Sequence, residues 1–179
     1  MTLTRERAEA LLGEKIANPA LRHHCRMVAR AMEASAQVSG KGNPDQWYLT
    51  GLLHDLDWEQ FPEEHPHKAV NDWLPAEGVT TEMLNAILSH APQRTGRLPQ
   101  SALECYLFAN DELSGFMHAV SLMRPSRFEG MEPKSVLKKL KDPKFAANVS
   151  REDIAEGCRL IGTELEDHIR FLISVFASM

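Results

Sequence analysis

Apolar residues recur along the chain at helical spacing, and no stretch of four or more residues alternates apolar and polar as a half-buried strand would. The pattern predicts an all-α protein. Thr4 caps a first helix that runs to about Ile16, and Asn18-Pro19 opens a second that runs to about Val38 and stops at Ser39-Gly40-Lys41-Gly42-Asn43. Pro44 starts a third helix, to about Leu56, with Leu49, Leu52 and Leu53 on one side. The acidic segment from Asp57 to Pro66 reads as a turn, and His67 to Glu77 as a fourth helix ended by Gly78. Thr80 caps a fifth helix to about Ala91, Pro92 to Pro99 is a loop, and Ser101 to Leu122 is the longest apolar helix, closed by Arg124-Pro125. Glu132-Pro133 and Asp142-Pro143 mark two short helix starts, and Ser150-x-x-Asp153 and Thr163-x-x-Glu166 resemble capping boxes for two final helices.

Composition narrows the class. The chain has 179 residues, a length suited to one domain, and its 43% hydrophobic and 25% charged content is that of a folded globular protein. No apolar run approaches the roughly 18 residues of a membrane span, and Thr2 to Arg7 lacks the apolar core of a signal peptide, so the expected location is the cytoplasm. A net charge of -5 gives no general attraction to nucleic acid or to anionic membranes. Three widely spaced cysteines write neither a disulfide framework nor a zinc ribbon, whereas eight histidines stand out. Any bound metal is therefore expected to have imidazole and carboxylate ligands.

Four places on the helices carry that chemistry. His54-Asp55 follows Leu52-Leu53 at the end of an apolar helix, where a buried carboxylate needs a neutralising partner; a solvated pair at a frayed helix end is the alternative. Asp111 has Leu107, Phe108 and Gly115 at its helical neighbour positions, so it points inward, towards either a metal or a backbone or arginine partner. His24 is framed by Ala20, Leu21, Met27, Val28 and Ala31, while His23 is turned by about 100° from it; a core histidine is the plainer reading. His90 ends the helix that carries Ala86 and Ile87, where a helix dipole would also favour it.

Taken in order, these residues resemble the HD superfamily of metal-dependent phosphohydrolases. The likeness covers about residues 19 to 122: Leu21-Arg22-His23-His24-Cys25-Arg26-Met27-Val28, Gly51-Leu52-Leu53-His54-Asp55 and Leu107-Phe108-Ala109-Asn110-Asp111-Glu112-Leu113. Glu64-His65-Pro66-His67-Lys68-Ala69-Val70 and Ala86-Ile87-Leu88-Ser89-His90 are similar to the segments that complete a second metal in binuclear members. The resemblance implies one HD-type domain over 1–179, with the metal-site core at about 19–122 and a helical extension at about 123–179. It implies His24, His54, Asp55 and Asp111 at one metal, and Asp55 bridging to a second that His65 and His90 complete; it selects His65 over His67. Ala91 and Thr95-Gly96-Arg97-Leu98-Pro99 set the chain apart from the cyclic-dinucleotide branch and bring it nearest to small stand-alone members.

The implied activity is hydrolysis of a nucleotide or other small phosphorylated metabolite by metal-activated water, with one or two divalent ions of iron, manganese, magnesium, nickel or zinc. His54, Asp55 and Asp57 form the expected catalytic group, with Asp57 either accepting a proton from water or orienting a ligand histidine. Lys68 and Arg124 are the expected phosphate contacts, and Arg94 and Arg97 are further candidates. Glu59, Glu63 and Glu64 read as a solvated acidic loop, Lys134 to Lys141 as a solvated helix face, and His118 and His168 as structural. Phe171, Leu172, Val175 and Phe176 form a stripe for the core or for a homodimer face. Two other readings stay open: a di-iron oxygenase on the same helices, and a non-catalytic module that binds metal or nucleotide.

Overall fold

A computed structural model describes residues 3–179. They form an all-α fold: α1 (Arg5–Lys15), α2 (Pro19–Ser39), α3 (Pro44–Leu53), α4 (Thr81–Ser89), α5 (Pro92–Thr95), α6 (Ala102–Leu122), α7 (Pro133–Leu140), α8 (Arg151–Ile161) and α9 (Leu165–Phe176), with no strand among the described residues. The caps read from sequence do start helices. The side chains of Thr4, Asn18, Thr80, Ser101 and Ser150 accept backbone N–H groups in the first turns of α1, α2, α4, α6 and α8. Pro19 and Pro44 occupy first turns, where their missing N–H leaves no helical bond unmade.

Two long helices organise the packing. The inward side of α2 contributes Cys25, Val28 and Met32 to one apolar cluster with α1, α3, α4 and the first turns of α6. Met27 and Ala31 of α2 join a second cluster with Leu113, Phe116 and Met117 of α6 and with α7, α8 and α9. Two glycines permit the closest crossings. A Cβ at Gly51 on α3 would lie 2.9 Å from the Ala29 backbone of α2, and one at Gly157 on α8 would lie 2.6 Å from Ala109 Cα of α6. The metal-type residues meet where α3 and α4 end beside His24 in the second turn of α2 and Asp111 in the middle of α6.

Several sequence expectations are corrected. α3 ends at Leu53 rather than Leu56 and passes into turns that carry His54 to Asp57. The fourth helix predicted over His67 to Glu77 is instead a wide π-helical turn at Ala69–Trp73 followed by a 3₁₀ turn at Pro75–Glu77. Pro75 cannot donate the backbone bond that an α-helix would need there. No helix follows Asp142-Pro143; residues 143–149 are turns, and Arg151 donates to the carbonyls of Asp142, Phe145, Ala146 and Val149. α9 starts after Glu164, whose side chain makes no capping bond, so Thr163 is not a cap. Leu172 and Phe176 are buried within the second cluster, and Phe171 and Val175 are half-buried against it, so most of that stripe is core. No described helix is long and apolar enough to cross a membrane.

Candidate metal centre

Asp55 stands between two sets of donors. Its Oδ2 lies 3.4 Å from His54 Nε2 and 3.7 Å from His24 Nε2, while its Oδ1 lies 3.4 Å from His65 Nε2 and 3.7 Å from His90 Nε2. Asp111 Oδ1 completes the first set, 3.0 Å from His24 Nε2 and 3.3 Å from His54 Nε2. His65 and His90 complete the second, with their Nε2 atoms 3.1 Å apart. All six residues read from sequence as metal ligands thus converge, from α2, the turn after α3, the turn before residue 66, the end of α4, and α6. His67 is exposed and outside the site. His23 faces away on α2, its ring 4.7 Å from that of His118 in a separate pocket.

The histidines are held so that their Nε2 atoms face inward. His54 Nδ1 lies 2.8 Å from the Gly51 carbonyl, and His90 Nδ1 is bonded to the Ile87 carbonyl. A carbonyl only accepts, so in both rings Nδ1 carries the hydrogen. His65 donates its Nδ1–H to Asp57 Oδ1 at 2.6 Å. Asp57 is fully buried, and its other oxygen accepts the Ala69 N–H at 2.8 Å. With those donors fixed, His65 and His90 bring two unshared pairs to 3.1 Å, an arrangement that requires an electrophile, a proton or a metal ion, between or beside them. His54 Nε2 is likewise buried without a well-aligned hydrogen bond.

This donor set fits a divalent cation. Two ligand bonds of about 2.1 Å meeting at roughly 90–109° place their donor atoms about 3.0–3.4 Å apart, and the contacts within each set run from 3.0 to 3.7 Å. His24, His54 and Asp111, and His54, Asp55 and His90, are groups that could hold a metal ion. Charge in the site points the same way. Burial opposes protonation of His54, yet the carboxylates of Asp55 and Asp111 overcome it and raise its pKa well above the usual 6.5. Burial would raise the pKa values of Asp55 and Asp111, but His54 and its neighbouring histidines hold both well below the carboxylate range. In the metal-free protein a proton on His54 therefore occupies the place of a cation.

A pocket of about 360 Å³ opens above these residues. Trp58, Gln93, Arg94, Glu112, Asn148, Val149 and Asp153 line it beyond the histidines and aspartates. Gly115 leaves His24 room: a Cβ there would stand 3.7 Å from the ring, an ordinary contact. Burial, followed by the charge of Asp111, pushes the Glu112 carboxyl up to about 7. A cation beside Asp111 would remove the second of those causes.

The pocket corrects two expectations and decides between two for Asp57. Lys68 is not in it: its ammonium pairs with Asp72 at 2.6 Å and lies over the Phe61 ring. Arg124 is not in it either: its guanidinium donates to the carbonyls of Arg127 and Glu129. Asp57 faces away from the cavity with both oxygens engaged, so it orients His65 and is not placed to take a proton from water. The segment after residue 122, read as an extension, supplies Asn148, Val149 and Asp153 to the pocket wall. Asn148 and Val149 carried no sign in the sequence, because they lie in turns without periodicity, and Asp153 carried only the sign of a helix start. Glu112 had a sign, its place beside Asp111 on one helix. Compared with family models, with curated proteins and with solved structures, the chain finds no match in any of the three.

Proposed function

We propose that this chain is a metal-dependent phosphohydrolase of the HD type, acting on a small phosphorylated metabolite. The observation that carries the reading is Asp55, whose two oxygens face different sets of histidines, so that one carboxylate joins two cation-sized groups of donors. His24, His54, Asp55 and Asp111 would hold one ion, and Asp55, His65 and His90 a second. What divalent ions supply when bound is Lewis acidity, which polarises a phosphoryl oxygen and lowers the pKa of water.

The chain's own groups do the rest. The Gly51 and Ile87 carbonyls and Asp57 fix the tautomers of His54, His90 and His65, so the donors are set before substrate arrives. Arg94 stands at the pocket wall, held over the Trp58 ring at 4.9 Å and bonded to the Pro62 carbonyl at 2.6 Å. Its remaining N–H groups suit phosphate oxygens. Trp58 and Val149 form apolar parts of the wall. Asp57 acts through His65 and is a positioning residue.

The test is phosphate release from a panel of phosphoesters by protein supplied in turn with manganese, iron, nickel, zinc and magnesium. Release that disappears in Asp55→Ala is expected. No release with any metal would remove the hydrolase reading, and an iron spectrum that responds to oxygen in the same preparation would favour oxidation on this scaffold.

A further inference from the structure

The pocket is unequal in charge. Arg94 on α5 is the one cationic side chain lining it among the described residues. Glu112 on α6 and Asp153 on α8 line the same pocket, with the amide side chain of Asn148 in the turns before α8. Glu112 Oε2 accepts the Ser150 N–H at 3.3 Å, and Asp153 accepts the Gln93 side-chain amide at 3.1 and 3.3 Å. Neither carboxylate forms an ion pair among the described residues. Both are acceptors open to a ligand.

That distribution has a chemical meaning. One phosphate can be neutralised by metal ions and Arg94 together. A second phosphate on the same ligand would share the pocket with the Asp153 carboxylate and the Glu112 side chain and would find no further cation there. Hydroxyl and amino groups placed there would instead donate to the two carboxylates and to the Asn148 carbonyl oxygen. The volume of about 360 Å³ accommodates a small metabolite. Resting on the phosphohydrolase reading, we infer that the substrate is a phosphomonoester whose organic part carries hydroxyl or amino donors, and that Glu112 and Asp153 exclude polyphosphates.

The experiment is calorimetric titration of the metal-loaded full chain with AMP and with ADP, metal being kept in excess of nucleotide, beside assays of phosphate release in the same mixtures. AMP is expected to bind at least about tenfold more tightly than ADP. Glu112→Gln and Asp153→Asn are each expected to reduce that ratio several-fold. Glu112 also meets the first turn of α8, so a failure of Glu112→Gln to fold leaves the wild-type ratio and Asp153→Asn to decide. ADP binding as tightly as AMP to the wild-type chain would overturn the inference, as would a ratio unchanged in the folded variants. A preference for AMP without release of phosphate supports the pocket assignment and overturns the hydrolase reading. Equal release from AMP and ADP does the reverse. Ribose 5-phosphate should bind more tightly than methyl phosphate, which has no donors to offer; the opposite order overturns the assignment of the organic part.

Discussion

Asp57 Oδ1 accepts the Nδ1–H of His65 at 2.6 Å, with both side chains buried and the second Asp57 oxygen bonded to the Ala69 N–H. One carboxylate thus fixes both a candidate ligand and the chain segment behind it. Removing such an outer partner typically weakens metal binding by about 10–100-fold. Asp57→Ala is therefore predicted to lose the ion held by His65 and His90 and to keep the one held by His24, His54 and Asp111, seen as a drop in stoichiometry in a metal titration. It should also cost about 1–3 kcal/mol of stability for the unpaired Ala69 N–H.

His54 links metal affinity to pH. Its folded pKa lies well above 6.5, so in the metal-free protein its charge stabilises the fold fully below pH 6.5, and that stabilisation is lost as pH rises through the raised folded pKa. Metal must displace that proton. Affinity is predicted to fall as pH falls, with about one proton released at the His54 site at pH 7. Calorimetry in buffers of different ionisation enthalpy measures the proton directly; an apparent binding heat that is independent of buffer would contradict the assignment.

His168, which belongs to neither donor set, gives a second pH effect. Burial lowers its pKa from 6.5 to about 4, and its Nε2 has no partner. The unfolded chain takes up a proton at higher pH than the folded chain, so stability is predicted to decline as pH falls from about 6.5 to about 4, by on the order of 3 kcal/mol in all. Urea unfolding at pH 7 and pH 4.5 measures this loss, which should be smaller in His168→Leu.

The glycines on helices separate by what a Cβ would meet. Gly51→Ala places an atom 2.9 Å from the Ala29 backbone and should destabilise by about 1–3 kcal/mol. Gly115→Ala makes only an ordinary contact with His24 and should be neutral or gain up to about 1 kcal/mol of helix propensity. Thermal unfolding of the two variants shows whether this ordering holds.

How far the site was legible depends on where each residue lies. His24, Asp111 and His90 sit on helices whose apolar periodicity defines an inward face, so their direction could be read. His54, Asp55 and His65 lie in or beside turns and came from motif order. The cations could not be placed from sequence, because position along the chain does not fix where a long side chain folds. The π-helical turn leads Lys68 to Asp72, and Arg124 folds back on its own turn. Asn148 and Asp153 reach the pocket only because residues 143–149 turn instead of forming a helix, a choice made by contacts with Arg151 that no local pattern announces.

On the proposed function, Arg94, which lines the pocket, takes the role expected of Lys68 and Arg124. Arg94→Ala should raise KM for a phosphomonoester by about 10–100-fold, the range for losing a charge-assisted contact of about 1.5–3 kcal/mol. Lys68→Ala and Arg124→Ala should leave KM within about twofold, and steady-state kinetics on the three variants provide the comparison.

The measurement that tests the metal centre most directly is elemental analysis of the chain purified without chelator and then supplemented with divalent ions, beside Asp55→Ala and His23→Ala. Wild type and His23→Ala are predicted to retain about one to two equivalents of a transition ion, and Asp55→Ala to retain almost none. A folded wild-type chain that holds no ion after supplementation, or one that holds as much as Asp55→Ala does, would contradict the account.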